Sequence, residues 1–116
     1  MEKELHPERC LAHTALCSHA GTDQIVTDIQ QSGLKGLLIA GCGKGTKDEA
    51  FRFSNDLPVE RVNLRELVAW SMEPGAEDTL MAAEDYIRMG YAGLKLLSEI
   101  EPFLLEKVSH RMRMVV

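Results

Sequence analysis

Apolar and polar positions alternate between short runs and longer helical stripes along this chain. Leu11 to Leu16 is a short mixed run that reads as a strand. Gly21-Thr22-Asp23 offers a helix start, with Thr22 or Asp23 as the capping side chain. Ile25, Val26 and Ile29 make one apolar stripe on that helix, and Gly33 falls where a left-handed C-terminal cap is needed. Leu37-Leu38-Ile39-Ala40 is apolar without alternation, the pattern of a strand covered on both faces. Thr46-Lys47-Asp48-Glu49 has capping-box spacing, which predicts a helix from Lys47. Phe51 should face the core, and Pro58 closes the connection. Val59 to Asn63 reads as a third strand, interrupted by charge. Leu64, Leu67, Val68 and Ser71 recur at helical spacing and predict a short helix carrying Trp70, broken by Pro74-Gly75. Leu80, Ala83, Ile87, Gly90, Leu94 and Leu97 then mark one face of a helix of about six turns. Gly90 and Gly93 weaken it unless a neighbouring backbone packs closely there. Pro102 should end or kink it.

This order predicts an α/β fold: a three-layer arrangement with a short, mainly parallel sheet of Rossmann-like βα repeats and a long C-terminal helix. Residues 1–10 read as a polar lead-in, 11–101 as the α/β domain and 102–116 as a C-terminal extension. The 116 residues suffice for one domain, and the 45% apolar content is ordinary for a globular chain. A net charge of −5 argues against a nucleic-acid surface as the main role. No apolar run approaches the roughly 18 to 20 residues that span a bilayer. The charged start, Met1-Glu2-Lys3-Glu4, lacks a signal-peptide core, so a cytoplasmic protein is expected. The three cysteines include no C-x-x-C pair, which favours reduced thiols over a disulfide framework.

Two cysteines occupy matching positions. Cys17 and Cys42 each follow an apolar run and precede a predicted helix, which would place both on the ligand-binding edge of a parallel sheet. Cys42 sits in the glycine-rich turn Gly41-Cys42-Gly43-Lys44-Gly45. Loop amides, a helix N-terminus, Lys44 and Lys47 would all favour its thiolate, whereas the plain alternative is a small buried residue in a tight turn. His19, beside Cys17, reads most simply as a solvated loop residue, and Cys10 as structural. The Gly41–Thr46 loop resembles an anion cradle, yet it lacks Walker A spacing. It also lacks the arginine of a cysteine phosphatase loop, since Asp48 stands there. Asn63, Arg65, Glu66 and Trp70 cluster after the third strand on the same edge. They read either as an interface or, more plainly, as a surface Arg–Glu pair beside a half-buried tryptophan.

Several segments in order are similar to the N-terminal region of the heterodisulfide reductase A subunit family. They are Cys17-Ser18-His19-Ala20-Gly21, Leu37 to Ala40, Cys42, Glu49-Ala50-Phe51-Arg52, Asn63-Leu64-Arg65-Glu66, Trp70 and Arg88-Met89-Gly90-Tyr91-Ala92. The resemblance covers roughly residues 11–100. It departs from the family in lacking an opening C-x-C-G, in Gly43-Lys44 where Ser-Pro is usual, and in stopping before the G-x-G-x-x-G of the flavin domain. It implies an accessory domain of a flavin and iron–sulfur electron-transfer oxidoreductase that docks and places redox centres without catalysing alone. Cys17 and Cys42 would be residual or shared ligands of a 4Fe-4S cluster whose ligand set is incomplete here. FAD is expected on a neighbouring domain or subunit. Asn63, Arg65, Glu66 and Trp70 would shape the edge for a flavin/iron–sulfur partner, with a second copy of the chain as another partner. The rival readings are a small thiol enzyme or sulfur carrier with Cys42 as nucleophile, and an anion- or nucleotide-binding module.

Overall fold

The computed structural model describes Leu5, residues 7–54 and residues 56–101; the expected C-terminal extension and the Pro102 break lie outside the described residues. Helix α1 spans His19–Ser32, strand β1 Leu37–Gly41, strand β2 Val59–Asn63 and helix α2 Glu77–Glu99. A 3-10 turn, Asp48–Phe51, and a π turn, Arg65–Ala69, lie between them. β1 and β2 pair in parallel, from Leu37 beside Val59 to Gly41 beside Asn63. Bonds from Leu37 N to Pro58 O and from Leu64 N to Gly41 O close the two ends.

Side chains alternate across the two strands. On one face Ile39 packs with Phe51 and with Ile25 of α1, joined by Leu16, Ile29, Leu37 and Val59. On the other face α2 lies close at Gly90, where an added Cβ would overlap Val62 Cγ2 and approach Leu38 Cδ1 at 3.1 Å. The close neighbour at Gly90 is thus a side chain and not a backbone. Gly93 has no such neighbour, only Glu60 Cδ at 3.9 Å from the added Cβ.

Four local expectations are corrected. Residues 11–16 form no strand, so among the described residues the sheet has two strands and not three. Their backbone groups are used locally: Ala15 N donates to His13 Nδ1, and Ala15 O accepts from both the amide and the hydroxyl of Ser18. Secondly, α1 begins earlier than Gly21, because Ser18 and neither Thr22 nor Asp23 is the cap. Its Oγ accepts from Gly21 N at 3.2 Å. Gly33 does provide the left-handed C-cap, at φ 57°. Thirdly, Lys47 adopts φ 52° and so cannot begin a helix; the backbone makes only the 3-10 turn that buries Phe51. Finally, the segment carrying Trp70 is a π turn, with Ala69 N bonding Leu64 O and Trp70 N bonding Arg65 O.

Replacing Ser18 with alanine should lower the unfolding free energy by about 1 kcal/mol. Urea denaturation checks this, and the loss should be accompanied by fraying confined to α1.

Candidate functional site

Arg61 organises the end of the sheet where the candidate residues gather. It is 8% exposed, on the strand face that carries Ile39, with its guanidinium 4.6 Å from the Phe51 ring centre. A buried cation requires acceptors, and the Gly41–Thr46 loop supplies them. Nη1 donates to Lys44 O at 3.0 Å. Nη2 donates to Gly43 O at 2.9 Å, Thr46 O at 2.8 Å and Cys42 O at 3.3 Å. Nη2 also lies 3.1 Å from Cys42 Sγ. The loop therefore turns its carbonyls inward around a cation, the reverse of the polarity needed to cradle a phosphate.

Two of the loop amides are committed as well. Thr46 N donates to Gly43 O, and Gly43 N donates to Glu66 Oε2 at 3.1 Å. That second bond ties the loop to the cluster after β2. Glu66 N in turn donates to Asn63 Oδ1 at 3.1 Å. Asn63 stands so close to Gly43 that a Cβ there would lie 2.9 Å from Asn63 Nδ2. Arg65 reaches Glu66 Oε1 through Nη2 at 2.6 Å and Nε at 3.2 Å.

The π turn explains the next contact. Its i to i+5 bonding places residue 65 against residue 70, and the Arg65 guanidinium lies 4.8 Å from the Trp70 ring centre. Trp70 is not half-buried as expected but 70% exposed. The structure thus brings Asn63, Arg65, Glu66 and Trp70 together and joins them to Cys42 through Gly43.

The thiols differ in setting. Cys42 is half-buried, and besides Arg61 it faces Thr46 O at 3.9 Å. Cys17 is exposed and follows a turn instead of a strand. It lines an open cleft with Gly45, Lys47, Asp48, Glu49 and Ala50, on the flank of the loop that holds Cys42. Cys10 is exposed, which removes a buried structural role, and His19 is the exposed first residue of α1. Lys44 does not serve Cys42: its ammonium pairs with Glu60 at 2.7 Å.

A 4Fe-4S cluster takes four thiolates. Among the described residues no three His, Cys, Asp or Glu side chains gather as a metal-holding group. Cys42 is moreover turned toward a guanidinium. These residues alone do not fit a complete cluster site.

The Arg65–Glu66 pair shifts both partners. Glu66 is held below the ordinary carboxylate range chiefly by its hydrogen bond from Arg65; desolvation opposes this, and the amides of Glu66 and Gly43 lower it further. Arg65 is raised, chiefly by Glu66, with lesser contributions from Cys42 and Cys17. The sign for Glu66 is fixed: a lowered folded-state value stabilises the fold above the unfolded carboxylate range. That contribution is lost as pH falls through the lowered value. In urea titrations from about pH 6 to pH 3, Glu66→Gln should therefore show a shallower acid-side loss than wild type. Parallel curves would remove Glu66 from the acid response.

Sequence reasoning missed Arg61. The available signal was the charge inside the short apolar strand Val59-Glu60-Arg61-Val62, at a core-facing position that only a ring of acceptors could satisfy.

Comparison with known proteins gives a consistent direction. The chain is 31% identical over 91 residues to the A subunit of the ferredoxin/F420H2-dependent CoB-CoM heterodisulfide reductase of Methanosarcina acetivorans, covering 73% of this chain and 12% of that protein. It is 32% identical over 99 residues to the A subunit of the H2:CoB-CoM heterodisulfide,ferredoxin reductase of Methanothermobacter thermautotrophicus, covering 80% of this chain and 15% of that protein. No family profile matches the chain, and no solved structure matches it. Over 73–80% of its length, this chain is similar to a short stretch, 12–15%, of the heterodisulfide reductase A subunit.

Proposed function

We propose that this chain is an accessory domain of a heterodisulfide reductase A-like electron-transfer oxidoreductase, working in the cytoplasm by docking and placing redox centres. The observation that carries this reading is the similarity to the reductase over 73–80% of the chain. Because the chain spans only 12–15% of those relatives, electron transfer itself belongs to the assembly. FAD is then carried by a neighbouring domain or subunit.

In this reading Cys17 and Cys42 contribute two thiolates to an iron–sulfur site completed by the partner. A bound cluster would supply one-electron transfer. What this chain's residues do is narrower. Arg61 fixes the loop that presents Cys42, and Glu66 locks that loop to the docking edge through Gly43 N. Arg65 holds Trp70 in one orientation, which reduces the ordering cost of an aromatic anchor on binding. The Rossmann-like three-layer arrangement would be reached in the assembly, where a further element extends the two strands.

The test is anaerobic isolation of the tagged chain from cells that contain such an assembly, with flavin, iron and acid-labile sulfide measured in the eluate. Wild type should bring flavin and iron together. Cys17→Ser and Cys42→Ser should lose iron while retaining flavin, and Trp70→Ala should lose both. A colourless wild-type eluate, free of flavin and iron, would overturn the assignment.

One observation favours the thiol-enzyme or sulfur-carrier reading: the Arg61 guanidinium lies 3.1 Å from Cys42 Sγ. That reading requires thiol chemistry from the isolated chain. The anion-binding reading has no comparable support, because the loop carbonyls surround Arg61.

A further inference from the structure

Helix α2 outruns the sheet it covers. Its 23 residues rise about 34 Å, while five-residue strands span only about 16 Å. The apolar stripe of α2 is supported in the middle, at Gly90, and leaves its ends open: Leu80 is 63% exposed. Beneath that overhang lies an open groove of about 600 Å³. Leu64, Val68 and Ala69 of the π-turn segment form one wall, and Ala76, Leu80 and Ala83 the other. Alanine at 76 and 83 is too short to close the gap. Exposed Leu67 and Trp70 belong to the same π-turn segment.

The rim is acidic. Glu77 lines the groove. Its carboxylate is not ion-paired among the described residues. The nearby cation, Arg65, is already bound to Glu66. An apolar floor with an unpaired carboxylate at its edge is complementary to one kind of ligand.

We propose that this groove receives an amphipathic segment of a partner protein, its apolar side chains filling the space and a Lys or Arg residue facing Glu77. This rests on the docking role proposed above and specifies the chemistry of what docks. A second copy of the chain is a poorer occupant. The other exposed stripe of α2, with Met81 and Met89, carries Asp85 already paired with Arg88 at 3.0 Å and so offers no free cation to the rim. Nucleic acids and anionic lipid surfaces would bring like charge to Glu77.

Trp70 is the one tryptophan in the chain and reports on its own surroundings. The test titrates the full chain with two synthetic amphipathic peptides of identical pattern, one built from Leu and Lys, the other from Leu and Glu. The Leu/Lys peptide should shift Trp70 emission to the blue and bind at least about tenfold tighter, a factor of ten being about 1.4 kcal/mol. Leu80→Asp should weaken that binding at least about tenfold, although the added negative charge would strengthen a purely electrostatic contact. Ala83→Leu, which fills the groove without changing charge, should also block it. Equal binding of both peptides, or undiminished binding to both variants, overturns the proposal. The titration needs neither flavin nor iron. A colourless eluate with a positive titration therefore removes the redox reading and keeps the groove; the opposite pair of results removes the groove alone.

Discussion

Arg61→Met should lower the unfolding free energy by about 3–5 kcal/mol, because a charged donor shared by several buried carbonyls is removed. Methionine replaces much of the volume and keeps the contact with Phe51, so cavity formation is a minor part of the loss. The main effect is that the carbonyls of Cys42, Gly43, Lys44 and Thr46 lose their shared donor. Buried acceptors left unpaired cost about 1–3 kcal/mol each; water reaching the opened loop limits the total. Domains of this size are stable by only about 5–15 kcal/mol, so the variant should be close to unfolding at ambient temperature. Arg61→Lys should recover only part of the loss, because an ammonium cannot reproduce the planar fork that reaches four carbonyls. Urea denaturation measures both. A loss below about 1 kcal/mol for Arg61→Met would show that the loop is held by other contacts.

Gly21→Ala should destabilise by about 2–3 kcal/mol, despite alanine's helix propensity advantage of about 1 kcal/mol. An added Cβ would stand 2.6 Å from the carbonyl oxygens of Ala15 and Leu16 and 2.7 Å from Leu16 Cα. Those are backbone atoms and cannot rotate away. The turn before α1 would have to move, taking Leu16 out of the core and breaking the Ser18 cap. Gly93→Ala is the internal control. It meets only ordinary contact with Glu60, so it should stabilise α2 by up to about 1 kcal/mol. The two thermal midpoints should therefore move in opposite directions. Movement of both the same way would mean that propensity, and not steric fit, decides at Gly21.

Elements whose determinants are local were readable from the chain. The three- and four-residue spacing from Leu80 to Leu97 specified α2. The unalternating Leu37 to Ala40 and the run from Val59 to Asn63 gave the two paired strands. Gly33 marked its left-handed cap because few other residues adopt that conformation readily. Residues 11–16 misled because mixed apolar patterning does not distinguish a strand from a turn that bonds to itself. Lys47 misled because capping-box spacing is a local signal, whereas its positive φ belongs to a loop held from a distance.

The proximity of Asn63, Arg65, Glu66 and Trp70 was legible as sequence clustering. Their connection to Cys42 was not, since it depends on the Glu66 to Gly43 bond across 23 positions. The exposure of Trp70 likewise follows from the π turn and not from residue type. By itself the sequence determined the long helix, the two strands and the family resemblance, each carried by residue order and short-range periodicity. The tertiary structure alone decided the shape of the Cys42 loop, because that shape is set by a guanidinium 15 to 19 positions away. A buried charge must collect acceptors from wherever the chain can bring them.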